Sequence, residues 1–452
     1  MHRFAYTAAA IAMVISSAAA EQVAATPVAL TGSTASPNGA WCWFESERAI
    51  VDASDPRRPL LLAGVVSCGE PAGTEHGDID VLWLDLRSGD RGSFELHDRF
   101  QADDHNSPAL LRRADGRYLA VYAGHNVDNR TLWRVSEPGD PTRWGLPLSI
   151  DNNARTTYSN LYRARGSDDG PIRLYNFHRS RNFNPNLHVS EDEGDTWRFA
   201  GRLLAVGRGG TRPYVNYAGD GERIHLIATD GHPRDVDNGL YHGVVTGGRL
   251  QRSDGEVIDN DLEDDAAVPP DRLTHIVNAG DRPGGERIGR CWGVDLELDD
   301  RGAPVALFTA RVDDSTEDHR LFYATRHAGA WRVSQVAKMG PGLYQGERDY
   351  TGLAAIDPQE PSTVFVSTPI DPSTDKTLPH HELFRGVTAD GGATWRWTAM
   401  THDSRVDNLR PVVPSWDGPD ALVLWLRGTY RTYQSWDTQV MCQRAPRERR
   451  DE

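Results

Sequence analysis

Seven sets of short β-type segments follow one another along the chain, and this repeat constrains the fold more than any other feature. Within each set, runs rich in Val, Leu, Tyr and Trp alternate with turns that contain Asp and Gly, and no amphipathic helix is evident. A period of about 40–50 residues is typical of propeller blades. The sequence therefore predicts an all-β, seven-bladed β-propeller. Its blades are expected at residues 41–99, 104–150, 156–204, 211–258, 288–337, 346–400 and 407–445.

Two segments share the pattern Ser/Thr-x-Asp-x-Gly-x-Thr-Trp, at residues 190–197 and 388–395. The pattern resembles the Asp-box (BNR-type) hairpin, in which the Asp side chain caps turn amides, the Gly takes a positive φ and the Trp packs beneath. Such hairpins occur in sialidases and in many other propellers. They therefore support the fold and say little about function.

Composition and the N-terminal sequence limit the partners and the compartment. A net charge of −16 over 452 residues argues against nucleic acid or an anionic membrane as a bulk partner. Residues 1–20 have the basic start, apolar run and small-residue end of a secretory signal peptide. No later stretch approaches the ~18 apolar residues that span a bilayer. We therefore expect a secreted or periplasmic monomer, with a leader at 21–40, a propeller at 41–445 and a polar tail at 446–452.

The four cysteines of an exported chain could form two disulfides. Cys42 lies near the mature N-terminus and Cys442 near the C-terminus, so a bridge between them could close the circular fold. Spacing alone does not fix connectivity, and this pairing is a hypothesis.

A predicted hairpin at residues 103–125 brings two histidines together. Apolar runs at 108–111 and 118–122 flank an Asp-Gly turn signal. Because antiparallel strands return to their starting edge, His105 before the first strand and His125 after the second should share one rim of the sheet.

Polar and cationic groups recur at the strand ends of the later sets, which a propeller brings to the same face. Random loop composition would scatter them. We therefore expect an arginine-lined groove that suits a polyanion despite the acidic net charge. The groups expected there are Tyr158, Arg179, Arg212, Tyr214 and Arg290.

His105, His125, Tyr158 and Arg179 form the candidate catalytic group. If the ligand is a uronic-acid polysaccharide, β-elimination needs a base for the proton α to the carboxylate and an acid for the departing oxygen. It also needs positive charge on the carboxylate. Imidazole and phenol can transfer the protons, and guanidinium supplies the charge. Taken singly, each of these residues could instead cap a turn or pack within a blade.

His232, His242 and Cys291 form a second candidate group. A hairpin should set the two histidines opposite each other, and the cysteine opens the neighbouring blade. Two nitrogen donors and one sulfur suit zinc, with Asp230 or water as a possible fourth ligand. The alternative is that the histidines contact substrate and the cysteine is a buried thiol.

Five strings of residues are familiar together, at 39–44, 103–108, 122–125, 230–233 and 241–242. They resemble the BNR-repeat propeller proteins that include the β-propeller ulvan lyases, and the likeness runs over most of residues 39–445. Those enzymes cleave ulvan, a sulfated algal polymer, between rhamnose sulfate and uronic acid and leave a 4,5-unsaturated uronate.

The resemblance implies that His105 and Tyr158 carry the proton transfers, without deciding which is the base, and that Arg179 neutralises the carboxylate. Tyr162 competes with Tyr158, and Arg173 with Arg179, because the intervening turn offers no anchor for alignment. No catalytic cofactor is implied. The further groove residues implied are His125, Tyr214 and Arg290, and a structural zinc is implied near His232, His242 and Cys291.

We therefore expect a secreted polysaccharide lyase that acts on ulvan or a similar uronate polymer. One alternative is a sialidase-like glycoside hydrolase, which the Asp-boxes favour. It would need an arginine triad, a Tyr/Glu nucleophile pair and an acid Asp, and no acidic residue marks the rim as clearly as the histidines do. The other alternative is a non-catalytic carbohydrate-binding propeller.

Overall fold

The computed structural model describes residues 26–32, 36–46, 48–68, 77–206 and 212–447, and they form seven antiparallel sheets. The first strand of each sheet contacts the first strand of the next, so these strands surround the central axis. The predicted seven-bladed β-propeller is confirmed. The predicted signal peptide lies outside the described residues. No helix in the described ranges is long and apolar enough to cross a membrane.

Strand β1 (Val28–Ala29) comes first in the chain and stands apart from the first blade. The first blade comprises β2 (Ala49–Asp52), β3 (Leu60–Ser67), β4 (Asp78–Asp85) and β5 (Arg91–His97). The second comprises β6 (Ala109–Arg112), β7 (Tyr118–Ala123), β8 (Arg130–Glu137), β9 (Asp140–Trp144) and β10 (Leu148–Asp151). The third comprises β11 (Thr157–Arg165), β12 (Ile172–Arg179), β13 (Pro185–Ser190) and β14 (Arg198–Arg202).

The fourth blade comprises β15 (Val215–Gly219), β16 (Ile224–Ala228), β17 (Leu240–Thr246), β18 (Arg249–Arg252), β19 (Val257–Asp259) and β20 (Thr274–Val277). The fifth comprises β21 (Ile288–Leu298), β22 (Pro304–Val312), β23 (His319–His327) and β24 (Ala330–Gly340). The sixth comprises β25 (Ala354–Asp357), β26 (Glu360–Ile370), β27 (Thr377–Val387) and β28 (Arg396–Ala399). The seventh comprises β29 (Asp407–Val412), β30 (Asp420–Thr432) and β31 (Ser435–Pro446). Short 3-10 helices span Asp104–Asn106, Arg181–Phe183 and Pro270–Arg272.

The two ends of the chain close the circle through backbone pairing. Strand β1, within the predicted leader, pairs antiparallel with β31, with Val28 opposite Cys442, and so completes the seventh blade. The hypothesis of a Cys42–Cys442 disulfide is wrong, because both thiols are free and buried. Cys42 lies beside His105 near the functional face, whereas Cys442 lies within the seventh blade. Hydrogen bonds along β1 make the closure that the disulfide was expected to make.

Both Asp-box hairpins have the expected geometry. Asp192 accepts hydrogen bonds from the backbone N–H and the hydroxyl of Thr196, at 2.9 and 2.6 Å. Asp390 accepts the same two bonds from Thr394, at 2.9 and 2.7 Å. The conserved turn geometry needs a positive φ, which Gly194 and its counterpart in the second hairpin both adopt at 92°. These turns are architectural.

Aromatic side chains fill the centre of the propeller face that carries His105. Trp43 and Phe44, at the predicted start of the first blade, are buried in the segment that precedes β2. The Trp43 ring lies 4.1 Å from that of Tyr430, and the Phe44 ring stacks on Trp292 at 3.4 Å. Each such pair adds about 0.5–1.5 kcal/mol to the burial of its area. This packing ties the N-terminal segment to the fifth and seventh blades beneath the candidate site.

Candidate active site

A cavity of about 450 Å³ opens on this face of the propeller, lined by groups from at least four blades and their connections. His105 lies on the 3-10 helix before β6, and His125 follows β7, as the hairpin predicts. The lining also includes Tyr344 and Glu347 from the connection between β24 and β25. The full lining is His105, His125, Arg179, Arg212, Tyr214, His232, Arg234, Tyr344, Gly346, Glu347, Tyr350, Thr432, Tyr433 and Gln434.

The two histidines stack on each other and share one carboxylate. Their ring centroids are 4.0 Å apart with 12° between the planes. Nδ1 of His105 lies 2.8 Å from Oδ1 of Asp103, and Nδ1 of His125 lies 2.8 Å from Oδ2 of the same residue. Asp103 is fully buried. Gln434, from the β30–β31 turn, donates its amide to Oδ2 at 3.0 Å.

The surroundings separate the pKa values of the two imidazoles. Burial by itself would lower the pKa of His105, but the acidic groups of Cys42, Tyr158 and Asp103 outweigh it and raise that pKa well above its ordinary value. Burial and the charge of His105 lower the pKa of His125 to about 4, against the opposing effect of Asp103. The pKa values of the two rings are therefore shifted in opposite directions.

Tyr158 and Arg179 lie beside this pair. A β-bulge at the start of β11 puts Tyr158 at a φ of +71°, an unfavourable conformation for a residue with a Cβ. Its ring lies 5.6 Å from that of His105. Nη1 of Arg179, at the end of β12, donates to the Tyr158 hydroxyl at 3.4 Å. Tyr158 lines a smaller adjoining cavity that shares Arg179 and Tyr214 with the large one.

Tyr162 and Arg173, the alternatives to Tyr158 and Arg179 in the sequence, have partners of their own in the structure. Tyr162 donates its hydroxyl to the backbone oxygen of Tyr217 at 2.8 Å, and Arg173 pairs with Glu191 and Glu263. Neither residue lines the large cavity or the smaller adjoining one, whereas Arg179 lines both and Tyr158 lines the smaller.

The cavity holds more positive charge than its own carboxylate balances. Arg179 and Arg212 form no ion pair with a carboxylate among the described residues, and their hydrogen bonds run to tyrosine hydroxyls. Arg234 pairs with Glu347 at 2.5 Å. Arg179 is only 7% exposed, so its charge is poorly hydrated. A buried cation without a counter-ion is costly, and an anionic ligand would relieve that cost.

Glu347 is one of the cavity residues that the sequence analysis did not single out. Its carboxylate lies 3.2 Å from Nε2 of His232 and also accepts from Arg234. Burial opposes its charge, but these two partners lower the pKa of Glu347. No motif marks it, because it belongs to the long connection that precedes β25.

The predicted zinc ligands do not come together. His232 faces the cavity, whereas His242 is buried within the fourth blade, where Nε2 lies 3.1 Å from His225 and Nδ1 lies 2.7 Å from Ser253. Cys291 is fully buried, and Asp230 accepts a hydrogen bond from Tyr241. Among the described residues these groups form no cluster of donors within reach of one ion. The residues therefore do not fit the predicted zinc. In the alternative interpretation both histidines contact substrate and the cysteine is a buried thiol; the structure has the buried thiol, but only His232 lines the cavity.

Arg290 also differs from its predicted role, because it does not line the cavity. Its guanidinium pairs with Asp314 and donates to the backbone oxygens of Pro233 and Arg234, at 2.7 and 3.1 Å. It therefore braces the loop that carries His232 and does not face a ligand.

Two of the three clusters of metal-type donors in the described ranges contain His105. One joins it to Cys42 and Asp104, and the other to Asp103 and His125. Nδ1 of His105 already lies 2.9 Å from Oδ1 of Asp104, and Tyr430 donates to the other oxygen of that carboxylate at 2.6 Å. Oδ1 of Asp103 and Oδ1 of Asp104 thus lie at similar distances, 2.8 and 2.9 Å, from the same ring nitrogen.

Comparison with known proteins adds a family and a fold. Residues 74–339 match the family model described as BNR repeat-containing family member. A solved PL25 ulvan lyase superposes with a TM-score of 0.62 at 14% identity, covering 92% of this chain and 95% of that one. The polysaccharide lyase Uly1 superposes with a TM-score of 0.53 at 12% identity, covering 88% and 90%. The GH93 α-L-arabinofuranosidase of Fusarium graminearum gives 0.44 at 13% identity, covering 75% and 91%. No curated protein sequence matches the chain. At these identities the solved structures establish the fold alone.

Proposed function

The chain belongs to the BNR repeat-containing family, and from the geometry of its cavity we propose that it is a polysaccharide lyase that cleaves a uronic-acid-containing polysaccharide by β-elimination. One observation carries the proposal: Arg179, a nearly buried cation with no carboxylate partner in the described chain, lines one cavity together with two stacked imidazoles. This is the set of groups that elimination next to a carboxylate requires.

The substrate is an anionic polymer in this proposal. Arg179 and Arg212 would take negative groups of the sugar chain, since a neutral ligand would leave both cations without a counter-ion. Ulvan is the first polymer to test, because the solved PL25 structure that shares this fold is described as an ulvan lyase. Its uronate carboxylate would lie on Arg179, with the Tyr158 hydroxyl as a second hydrogen-bond donor.

His125 is the base. Its Nδ1 is engaged by Asp103, and its low pKa keeps Nε2 unprotonated at neutral pH. In the reaction Nε2 takes the proton from C5 of the uronate, and the electron pair forms the C4–C5 double bond. Arg179 and Tyr158 stabilise the charge that develops on the carboxylate.

His105 is the acid. As the C4–O4 bond breaks, the imidazolium donates its Nε2 proton to the departing oxygen, which leaves as the hydroxyl of the preceding sugar. Because the reacting groups are on adjacent carbons, an acid and a base stacked at 4.0 Å suit elimination on one face of the ring. Burial raises the pKa of Tyr158, which favours the neutral phenol as a hydrogen-bond donor and not as a base.

The test is the ultraviolet absorbance of unsaturated uronate during incubation of the purified protein with ulvan and other uronate polymers. We expect the absorbance to rise with wild type and to stay flat with His125→Asn and His105→Ala. His402→Ala, at a histidine that is 81% exposed, serves as the matched control and should behave as wild type. If no uronate polymer gives unsaturated product, the lyase assignment is wrong.

A hydrolase is the second candidate, and one observation favours it. Arg179, Arg212 and Arg234 line the cavity together with Glu347 and several tyrosines, a set that includes the arginine triad and the Tyr/Glu pair of a sialidase-like enzyme. Against it, Glu347 is already engaged by His232 and Arg234, and no aspartate among the described residues lines the cavity. Release of reducing ends without ultraviolet absorbance would favour this candidate, and binding without any turnover would favour a non-catalytic propeller.

A further inference from the structure

Asp103 forms hydrogen bonds with two histidines at once. Each carboxylate oxygen accepts from Nδ1 of a different imidazole, and the residue is fully buried. The backbone N–H of His105 also donates to Oδ1, at 3.2 Å. Nε2 of each ring has no hydrogen-bond partner among the described residues, and both rings line the cavity.

We propose that Asp103 is a positioning residue that holds both imidazoles with the proton on Nδ1 and thereby presents both Nε2 atoms to the substrate. This inference rests on the proposed function for its catalytic consequence, but not for the tautomers themselves. A carboxylate fixes the tautomer of a histidine because it can only accept a hydrogen bond, so the facing nitrogen must carry the proton. Because one buried carboxylate fixes the proton on Nδ1 of both rings, the orientation of the acid and the orientation of the base depend on the same residue.

The substitution Asp103→Asn gives a specific expectation for one ring. An amide has one oxygen and one NH₂ group, so it cannot accept from both histidines. The backbone N–H of His105 donates to the Oδ1 position, which therefore takes the amide oxygen. The NH₂ group then faces His125, and Gln434 can turn its own amide oxygen toward it. Nδ1 of His125 must accept, so its proton moves to Nε2 and the base is lost.

The experiment is nitrogen NMR of histidine-labelled protein, with the two signals assigned through His105→Gln and His125→Gln. In wild type we expect Nδ1 of both rings to carry a proton, and in Asp103→Asn we expect His125 to become the Nε2–H tautomer. The lyase assay should show kcat reduced at least about 100-fold with KM within about three-fold, as expected for a wrong tautomer. The acid limb of the pH profile should also change.

Asp52→Asn is the matched control, because Asp52 is a buried carboxylate that accepts a hydrogen bond from Tyr118 and forms an ion pair with Arg112 outside the cavity. In Asp52→Asn the tautomers of His105 and His125, and the value of kcat, should match those of wild type. An Nε2–H tautomer for either ring in wild type overturns the proposal even if Asp103→Asn fails to fold. Unchanged tautomers in a folded Asp103→Asn also overturn it. If wild type has the expected tautomers but no polymer is cleaved, only the lyase assignment fails.

Discussion

The guanidinium carbon of Arg179 lies 4.7 Å from the centre of the Tyr158 ring, and Nη1 lies 3.4 Å from the phenol oxygen. One cation thus covers an aromatic face and donates to the hydroxyl of the same residue. The bulge in β11 and the end of β12 create this contact, since Thr157 pairs with Arg179 across the two strands. The arrangement fixes the guanidinium at the cavity wall and leaves donors for an anion.

Two replacements of Arg179 should show how much of its effect on the rate comes from its charge and how much from the shape of its guanidinium group. Arg179→Lys keeps the charge but loses the planar fork, and Arg179→Gln loses both. We expect kcat to fall in both variants, by roughly 100- to 1,000-fold in Arg179→Gln, which is the usual cost of removing one group that stabilises a developing charge. Initial rates of unsaturated uronate formation measure this. Arg173→Lys, on the same strand but paired with two glutamates, is the control and should keep the wild-type rate.

The rate should depend on pH as a bell. His125 acts as a base only when neutral, so kcat/KM should rise as pH increases through about 4. His105 acts as an acid only when protonated, so activity should fall as pH increases through its own pKa, which its acidic neighbours raise well above the ordinary value. Because the rings share Asp103, the two limbs report apparent values for the pair. A value of kcat/KM that does not fall as pH decreases through about 4 would contradict this assignment.

Local sequence signals predicted the parts of the site that depend on one hairpin. The Asp-Gly turn fixed the register of β6 and β7, which is enough to bring His105 and His125 to one rim. The recurring strand ends likewise placed Arg179 and Tyr214 on the cavity. These side chains line one cavity because antiparallel pairing and propeller closure determine which strand ends meet.

Contacts that depend on the path of a connection could not be predicted from the sequence. The connection between β16 and β17 is long, so His232 reaches the cavity while His242 pairs with Ile227 inside the blade and contacts His225. A zinc site needed both at one end of the hairpin. Glu347 reaches the cavity because its connection packs on the central aromatic rings, where Tyr350 stacks on Trp43 at 5.7 Å, and no local pattern predicts that packing.

His232 and His242 should therefore respond differently to replacement by alanine. His232→Ala frees Glu347 from one partner at the cavity wall, so we expect a several-fold higher KM for the polymer and an almost unchanged melting temperature. His242→Ala removes a fully buried side chain and leaves His225 and Ser253 without their partner, so the melting temperature should fall by several degrees. Thermal denaturation with and without a zinc chelator completes the test. Equal loss of stability in both variants, together with chelator sensitivity, would restore the zinc site.

The cysteines give a last prediction about how the ring is closed. All four are free and buried, and the ends of the chain are joined by the pairing of β1 with β31. Burial raises the pKa of Cys68 and of Cys442 to about 12, so neither thiol should react with a thiol reagent in the native protein. We expect four reactive thiols in urea without prior reduction, and the same melting temperature with and without reductant. Fewer than four thiols, or a melting temperature that falls on reduction, would show that a disulfide contributes to closure. Deletion of residues 21–31 should lower the melting temperature regardless of reductant, because it exposes the edge of β31.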